Sequence, residues 1–141
     1  MPRSPWETAK KGKKIQKITM CRYYLPEREQ WCWRGNLISR RRVTCRVLLT
    51  EDKQAKDLVW LEELETTKSY RGQGYAKRLL QITLQAFGNN EQFSQMRLRL
   101  QAFGKYPRLD DNQLAMFYSK MGFSQLSSCQ PIWGINLTQT E

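Results

Sequence analysis

The sequence predicts a single α/β (α+β) domain in which amphipathic helices lie against a mixed β-sheet. Residues 58–67 combine an apolar run with β-branched threonines, which is typical of a strand, and apolar residues recur at helical spacing over residues 76–87. Met96, Leu98 and Leu100 then alternate with polar residues, as in a strand with one polar face. Strands therefore flank the helix in the chain, and 141 residues are enough for one core.

Glycines and short polar segments mark the ends of the other elements. Gly88 stands where a C′ glycine would end the first helix. Gly122 would end a second helix, which Asp110, Asp111 or Asn112 can cap. The remaining predicted elements are strands at residues 18–25 and 43–50, a polar turn at residues 51–54, and an antiparallel pair of strands at residues 124–129 and 132–137.

Residues 27–42 are compatible with two interpretations. In the first, they form a short helix that buries Trp31. In the second, a strand around Trp31 and Trp33 is followed by a turn at Gly35 and Asn36, which leads into another strand. The pattern of residues does not distinguish between the two.

The N-terminal residues 1–16 are predicted as a separate basic segment, followed by one domain over residues 17–141. Ser4, followed by a proline and then by a glutamate three positions on, fits a capping box and would start a short helix. Gly12 and the mutual repulsion of four nearby lysines limit the length of that helix. A basic arm without a helix is equally compatible with this segment.

Composition and charge exclude several classes of function. Lysine and arginine total 24 against 13 acidic residues, so the net charge of +11 attracts polyanions and repels polycations. The chain has no histidine, which excludes histidine-based triads and HExxH zinc sites. None of the four cysteines forms a CxxC pair, so we predict no metal site and expect free thiols in a reducing cytoplasm. No apolar run approaches the roughly 18–20 residues of a membrane span, so no membrane partner is expected.

The segment between the central strand and the first helix predicts an anion-binding turn. It contains Arg71, Gly72, Gln73, Gly74 and Tyr75. The glycines allow a tight bend, so that several backbone N–H groups can point to one position, and the helix N-terminus adds a partial positive charge. Arg71 adds a full positive charge, and a phosphate is the anion that such a turn fits best.

Two motifs carry a resemblance to a known family. Arg71, Gly74 and Ala76 fit the pattern RxxGxA, which resembles the pyrophosphate-binding signature of the GNAT superfamily of N-acetyltransferases. The segment LAMFYSKMGF at residues 114–123 is similar to the late helix of that family. With both motifs, the resemblance covers residues 58–137.

The resemblance implies a mostly antiparallel sheet flanked by helices, and acetyl-CoA as the cosubstrate. Two family helices that wall the acceptor site would fall in residues 27–42, where so little chain is available that this lid must be reduced or absent. Asp111 replaces a frequent Asn, and Lys68 replaces a frequent Pro. The coenzyme-binding residues that the resemblance implies are Leu64, Glu65, Thr66, Arg71, Gly72, Gln73, Gly74, Tyr75, Ala76 and Asn112.

Two residues are candidates for catalysis. Because there is no histidine, a carboxylate is the natural base for a protonated amine, and Glu62 matches the glutamate that related sequences use for this purpose. Strand alternation places Glu62 on the opposite face from Glu63 and Glu65 unless a bulge intervenes. Tyr118 matches the family's tyrosine that serves the departing thiolate. The structural alternatives are solvated edge carboxylates and a half-buried aromatic side chain.

Two hypotheses for the function follow. The first is an acetyl-CoA-dependent N-acetyltransferase that acts by direct attack on a primary amine of an acidic protein or of an RNA-borne acceptor, since the charge disfavours polycationic acceptors. The second is a non-catalytic basic module on the same fold that binds nucleic acid or an acidic protein. In either case we expect a cytoplasmic monomer or homodimer.

Overall fold

The computed structural model describes residues 9–11, 14–100 and 110–137. Two α-helices, a short 3₁₀ helix at Lys68–Tyr70 and eight strands form within these ranges, and the α-helices and strands are numbered separately. They are, in chain order, β1 (Ala9–Lys11), β2 (Lys14–Leu25), β3 (Gln30–Ser39), β4 (Arg42–Glu51), β5 (Leu58–Thr66), α1 (Tyr75–Gly88), β6 (Gln95–Arg99), α2 (Asp111–Lys120), β7 (Ser124–Gln125) and β8 (Ile132–Asn136).

The strands form one mixed sheet in the order β1-β2-β3-β4-β5-β6-β8-β7. Only β5 and β6 are parallel, because α1 crosses over the sheet between them, and all other neighbours are antiparallel. The predicted fold class and the mostly antiparallel sheet are therefore confirmed.

Helix α1 provides one side of the core. Its inner face buries Leu79, Leu80, Thr83 and Phe87 against β3, β4 and β5. The helix does not end as predicted, because Gly88 is its last residue and Asn89 follows with an ordinary helical φ of −87°. Gly88 is buried within the last turn and does not act as a left-handed cap.

Helix α2 begins and ends where the sequence indicated. The side chain of Asp110 accepts a hydrogen bond from the backbone N–H of Gln113, and Oε1 of Gln113 accepts one from the backbone N–H of Asp110. This capping box selects Asp110 from the three candidates. Gly122 has a φ of +104°, as expected of a C′ glycine. Phe117, Tyr118 and Met121 pack on the same apolar core as α1.

Residues 27–42 contain the predicted strand around Trp31 and Trp33, but the rest of neither predicted arrangement forms. No helix forms there, and the predicted turn at Gly35 and Asn36 is instead the middle of the continuous strand β3. A Cβ at Gly35 would lie 2.6 Å from Cε of Met20 and 2.8 Å from Cγ1 of Val47, so this glycine is needed for close packing. Trp31 is not buried but 42% exposed.

The start of the sheet extends into the segment that we assigned to the arm. Ala9–Lys11 pairs antiparallel with β2, which begins at Lys14, so the described part of that segment is strand and not helix. The predicted capping box at Ser4 and most of the loop before α2 lie outside the described residues. The closing strand pair is confirmed as β7 and β8, although β7 has only two residues.

Glu51 belongs to the end of β4 and not to a solvated turn as predicted. Its side chain is buried and accepts from Arg22 Nε at 2.7 Å, Arg22 Nη2 at 2.9 Å, Trp33 Nε1 at 2.7 Å and Gln92 Nε2 at 3.3 Å. Burial raises the pKa of Glu51, but these donors, with Arg22 foremost, outweigh it, so the pKa lies below its ordinary value. One carboxylate therefore ties β2, β3 and β4 to the segment after α1.

We expect Glu51→Gln to lower the free energy of unfolding by about 1–3 kcal/mol at pH 7, because the hydrogen bonds that Arg22 and Trp33 donate to the carboxylate are weaker or lost when it becomes an amide. Since the folded-state pKa is depressed, this stabilisation is present above the ordinary carboxyl pKa and is lost as the pH falls through the folded-state value. Urea unfolding of both proteins from pH 7 to pH 3 should show the difference shrinking. Glu91→Gln, at an exposed position, is the control, and an equal loss in both variants would contradict the assignment.

Candidate active site

Strands β5 and β6 lie side by side for a short distance and then part. Residues 58–61 pair with residues 95–98, and no parallel pairing continues beyond Leu61. Strand β5 nevertheless runs on to Thr66 while paired with β4 on its other side. Residues 62–66 therefore present one strand edge to an opening in the sheet, where an extended molecule with amide groups can pair as a further strand would.

A β-bulge lies where the two strands part. Leu61 pairs with Leu49 and Glu63 pairs with Leu48, so Glu62 is an extra residue without a cross-strand partner. The bulge turns Glu62 towards Thr50, whose hydroxyl donates to Oε1 of Glu62 at 2.8 Å.

The bulge also decides which face carries the three glutamates of β5. Glu65 bonds Arg46 at 3.4 Å, and alternation along β4 puts Arg46 on the same face as Thr50, the partner of Glu62. Glu63 pairs with Leu48, which lies on that face as well. All three carboxylates are therefore exposed on one face, and simple alternation does not describe Glu62.

The predicted anion-binding turn forms at the far end of β5. Gly72 and Gly74 have φ values of +80° and +81°, and Gly74 is the N-cap of α1. Arg78 N–H bonds the carbonyl of Gly74 at 3.1 Å, whereas the backbone N–H groups of residues 72–77 have no hydrogen-bond partner among the described residues. These donors at a helix N-terminus are the arrangement that binds phosphate groups.

Basic side chains surround this turn. Arg71 Nε donates to the carbonyl of Thr66 at 3.2 Å, which holds the guanidinium at the end of β5. Lys77 is exposed on the first turn of α1. Nε of Arg78 is buried and has no hydrogen-bond partner among the described residues. The turn therefore combines backbone donors with positive charge that can balance a diphosphate.

The other predicted coenzyme-binding residues divide into two groups. Gly72, Gln73 and Gly74 are exposed at the turn, but Tyr75 is 7% exposed and packs edge-on against Tyr70 at a ring distance of 6.0 Å. Tyr75 and Ala76 pack into the core, so each can offer only its backbone N–H. Leu64, Glu65 and Thr66 lie on the open stretch of β5.

Tyr118 extends from α2 into the apolar core. Its ring packs edge-on against Phe117 and Phe123 at ring distances of 5.1 and 5.6 Å. The hydroxyl has no hydrogen-bond partner among the described residues. Burial, with a smaller effect of the Cys45 thiol, raises the pKa of Tyr118 to about 12. The phenol is therefore protonated at neutral pH and can donate a hydrogen bond.

Asn112 lies at the second position of α2 and is exposed, as is Asp111 before it. Nothing in the described structure brings Asn112 to the phosphate-binding turn, and its proposed contact with the coenzyme stays a prediction. Thr50 is the residue at this site that the sequence analysis did not identify. Its role depends on a contact between two strands, for which the sequence pattern gives no signal.

The cysteines do not form a metal site in the described residues. Cys32 and Cys45 are buried, Cys21 and Cys129 are exposed, and all four are free thiols. No group of three or more cysteine, aspartate or glutamate side chains within the described ranges could hold a metal ion. Among the described helices, none has the length and apolar character that crossing a membrane requires.

A family model described as "Acetyltransferase (GNAT) domain" matches residues 27–125, which is more than half of the chain. The chain belongs to the GNAT acetyltransferase family. The family transfers acetyl groups from acetyl-CoA, and the open edge of β5 with the donors at residues 72–77 fits that cosubstrate. A search of curated proteins finds no match.

Solved structures show the same fold at low sequence identity. The ribosomal-protein-S18-alanine N-acetyltransferase from Escherichia coli has a TM-score of 0.58 at 12% identity and covers 77% of this chain and 70% of its own. Tetrahymena GCN5 has a TM-score of 0.58 at 10% identity, with coverages of 78% and 71%. A KacTA–DNA complex has a TM-score of 0.57 at 19% identity, with coverages of 75% and 68%.

The lid of this GNAT domain is reduced between the described strands β2 and β3. Between β2 and β3, where the resemblance implied two helices, the described chain has only a turn at residues 26–29. The expectation of a reduced or absent lid is therefore confirmed. Among the described elements, no helix covers the face that carries Glu62.

A substitution at Gly74 tests the predicted anion-binding turn. A Cβ at this position would meet nothing within 4 Å, but its φ of +81° strains an alanine by about 1–2 kcal/mol, which the turn can relieve only by rotating its N–H groups. We expect Gly74→Ala to weaken coenzyme A binding by about tenfold or more in calorimetry. Gln81→Ala, at an exposed position of α1 outside the turn, should bind nearly as well as the native protein. Equal affinities of the two variants would contradict the assignment.

Proposed function

We propose that this chain is an acetyl-CoA-dependent N-acetyltransferase that moves an acetyl group to a primary amine of a protein or of an RNA-borne acceptor by direct attack. The observation that carries the proposal is the geometry of β5. One strand has a bulged carboxylate at one end of its open edge and a phosphate-binding turn at the other end. A thioester and its diphosphate require such a pair of sites at the two ends of one groove.

Glu62 is the proposed base. A lysine-type amine has a pKa near about 10.4, so it is protonated at neutral pH and must lose a proton before it attacks the carbonyl carbon. Oε1 of Glu62 is occupied by the Thr50 hydroxyl, while Oε2 makes no hydrogen bond among the described residues. Oε2 can therefore take the proton, directly or through a water molecule.

Tyr118 is the proposed partner of the departing sulfur. When the carbon–sulfur bond breaks, the electron pair stays on sulfur as a thiolate with an ordinary pKa of about 8.5. Complete transfer of the phenol proton is uphill, because the pKa of Tyr118 is about 12. Tyr118 therefore acts by hydrogen-bond donation to the thiolate, which then takes its proton from the solvent or from the acceptor amine.

The charge distribution supports a large anionic acceptor. The net charge is +11, and only Arg22–Glu51 and Arg46–Glu65 form ion pairs among the described residues. Arg40 and Arg41 are exposed in the turn between β3 and β4, and Arg42 is exposed at the start of β4. These charges attract an acidic protein or the phosphates of RNA.

The second candidate is a non-catalytic basic module on the GNAT fold that binds nucleic acid or an acidic protein. The same exposed arginines and the reduced lid between β2 and β3 favour it. The N–H donors at residues 72–77 and the Tyr118 hydroxyl, which have no hydrogen-bond partner among the described residues, favour catalysis, because a module without a cosubstrate has no need of either.

Thermal unfolding separates the two candidates. We expect acetyl-CoA at about 100 times its dissociation constant to stabilise the protein by about 2.7 kcal/mol, whereas acetate plus adenosine should not. Incubation with labelled acetyl-CoA and a cell lysate then shows whether the label enters protein, RNA or small molecules. An unchanged melting temperature would favour the binding module. For that module, RNA binding should weaken steeply with added salt.

Tyr118→Phe tests the assigned donor. The variant keeps the packed ring and loses only the hydroxyl, so we expect turnover to fall by about 10²-fold with little change in acetyl-CoA affinity. Because the pKa of Tyr118 is about 12, this contribution should be constant below about pH 11 and be lost only above it. Phe117→Leu, beside it on α2, is the packing control. A native rate in Tyr118→Phe would remove the assignment.

A further inference from the structure

We infer that Thr50 is a positioning residue that holds the carboxylate of Glu62 in the orientation needed for proton transfer. The inference rests on the proposed role of Glu62 as the base. The observation behind it is the 2.8 Å hydrogen bond from the Thr50 hydroxyl to Oε1 of Glu62.

Glu62 needs an external constraint because of where it lies. It is the extra residue of the bulge, so it has no cross-strand partner, and its side chain is exposed. A glutamate side chain with three rotatable bonds loses up to about 1.5–2 kcal/mol of rotamer entropy when it is fixed. Without a partner, the carboxylate would therefore sample many orientations over the open face.

Thr50 can provide this constraint because it is itself fixed. It is 3% exposed and lies in β4, where it pairs with Cys32 of β3 on one side and with Trp60 of β5 on the other. Its β-branched side chain has few rotamers. The hydroxyl is therefore a rigid donor that occupies one oxygen of Glu62 and leaves Oε2 for the amine.

The position of the donor also explains why a bulge is useful here. Thr50 lies next to Leu49, the residue at which the register shifts, on the strand opposite the bulge. Without the extra residue, alternation would place Glu62 on the face opposite to Thr50. The bulge brings the two side chains together, so the carboxylate and its donor form one unit.

A double-mutant cycle tests the inference, with acetyl-CoA as donor and butylamine as the acceptor probe. We expect Thr50→Val, which keeps the shape and removes the donor, to lower kcat by about 10–100-fold, the worth of a hydrogen bond to a charged group. Thr50→Ser should recover most of this loss, and acetyl-CoA affinity should not change in either variant. In the Glu62→Gln background, Thr50→Val should have no further effect.

The outcomes that overturn the inference are distinct. An equal loss from Thr50→Val in both backgrounds would show that Thr50 acts through packing alone. A native rate in Glu62→Gln would remove the base and the positioning role together, while acetyl-CoA binding would still report on the proposed cosubstrate.

A measurement without turnover covers the case in which butylamine is not accepted. The carboxylate carbon resonance of Glu62, labelled with ¹³C, should shift in Thr50→Val and stay near its native position in Thr50→Ser. An unchanged resonance in Thr50→Val would mean that the hydrogen bond does not form in solution.

Discussion

The constraint on which the site depends is the β-bulge at Glu62. Glu62 is an extra residue on β5, opposite the register shift between Leu48 and Leu49. It changes the direction of the strand at the point where the parallel pairing of β5 with β6 ends. The same residue therefore opens the edge of β5 and places a carboxylate beside that opening. Five residues of β5, from 62 to 66, are left unpaired on this edge, a length of about 16 Å at 3.3 Å per residue.

The predicted anion-binding turn is connected to the same strand. Arg71 Nε donates to the carbonyl of Thr66, the last residue of β5. Helix α1 begins at Tyr75, four residues after Arg71. The open edge, the positive charge and the unpaired N–H groups are thus consecutive along one piece of chain. Their relative positions depend on local backbone geometry. One short segment of chain can therefore specify most of the proposed acetyl-CoA site.

This locality decides how much the sequence could predict. The turn at Gly72 and Gly74, the first helix and the cap of α2 depend on neighbours within a few positions, and their residue types indicate them directly. Gly35 and Glu51 depend on distant strands. A glycine beside an asparagine is typical of a hairpin turn, and a glutamate before an aspartate is typical of a solvated turn. The strand position of Gly35 follows only from its close packing against Met20 and Val47. The buried position of Glu51 follows only from its hydrogen bonds with Arg22 and Trp33.

The buried carboxylate of Glu51 also fixes the β2–β3 hairpin, where the described chain has no lid helices. Arg22 stacks on Trp31 at 4.0 Å while its guanidinium bonds Glu51, and Trp33 packs edge-on against Phe87 of α1. The β2–β3 hairpin is thereby fixed to the core by its own side chains. The opposite face of the sheet, with Thr50 and Glu62, then has no described helix above it. Small molecules bind best in concave sites that surround them, so an open face favours an acceptor that brings its own surface, as the proposed protein or RNA would.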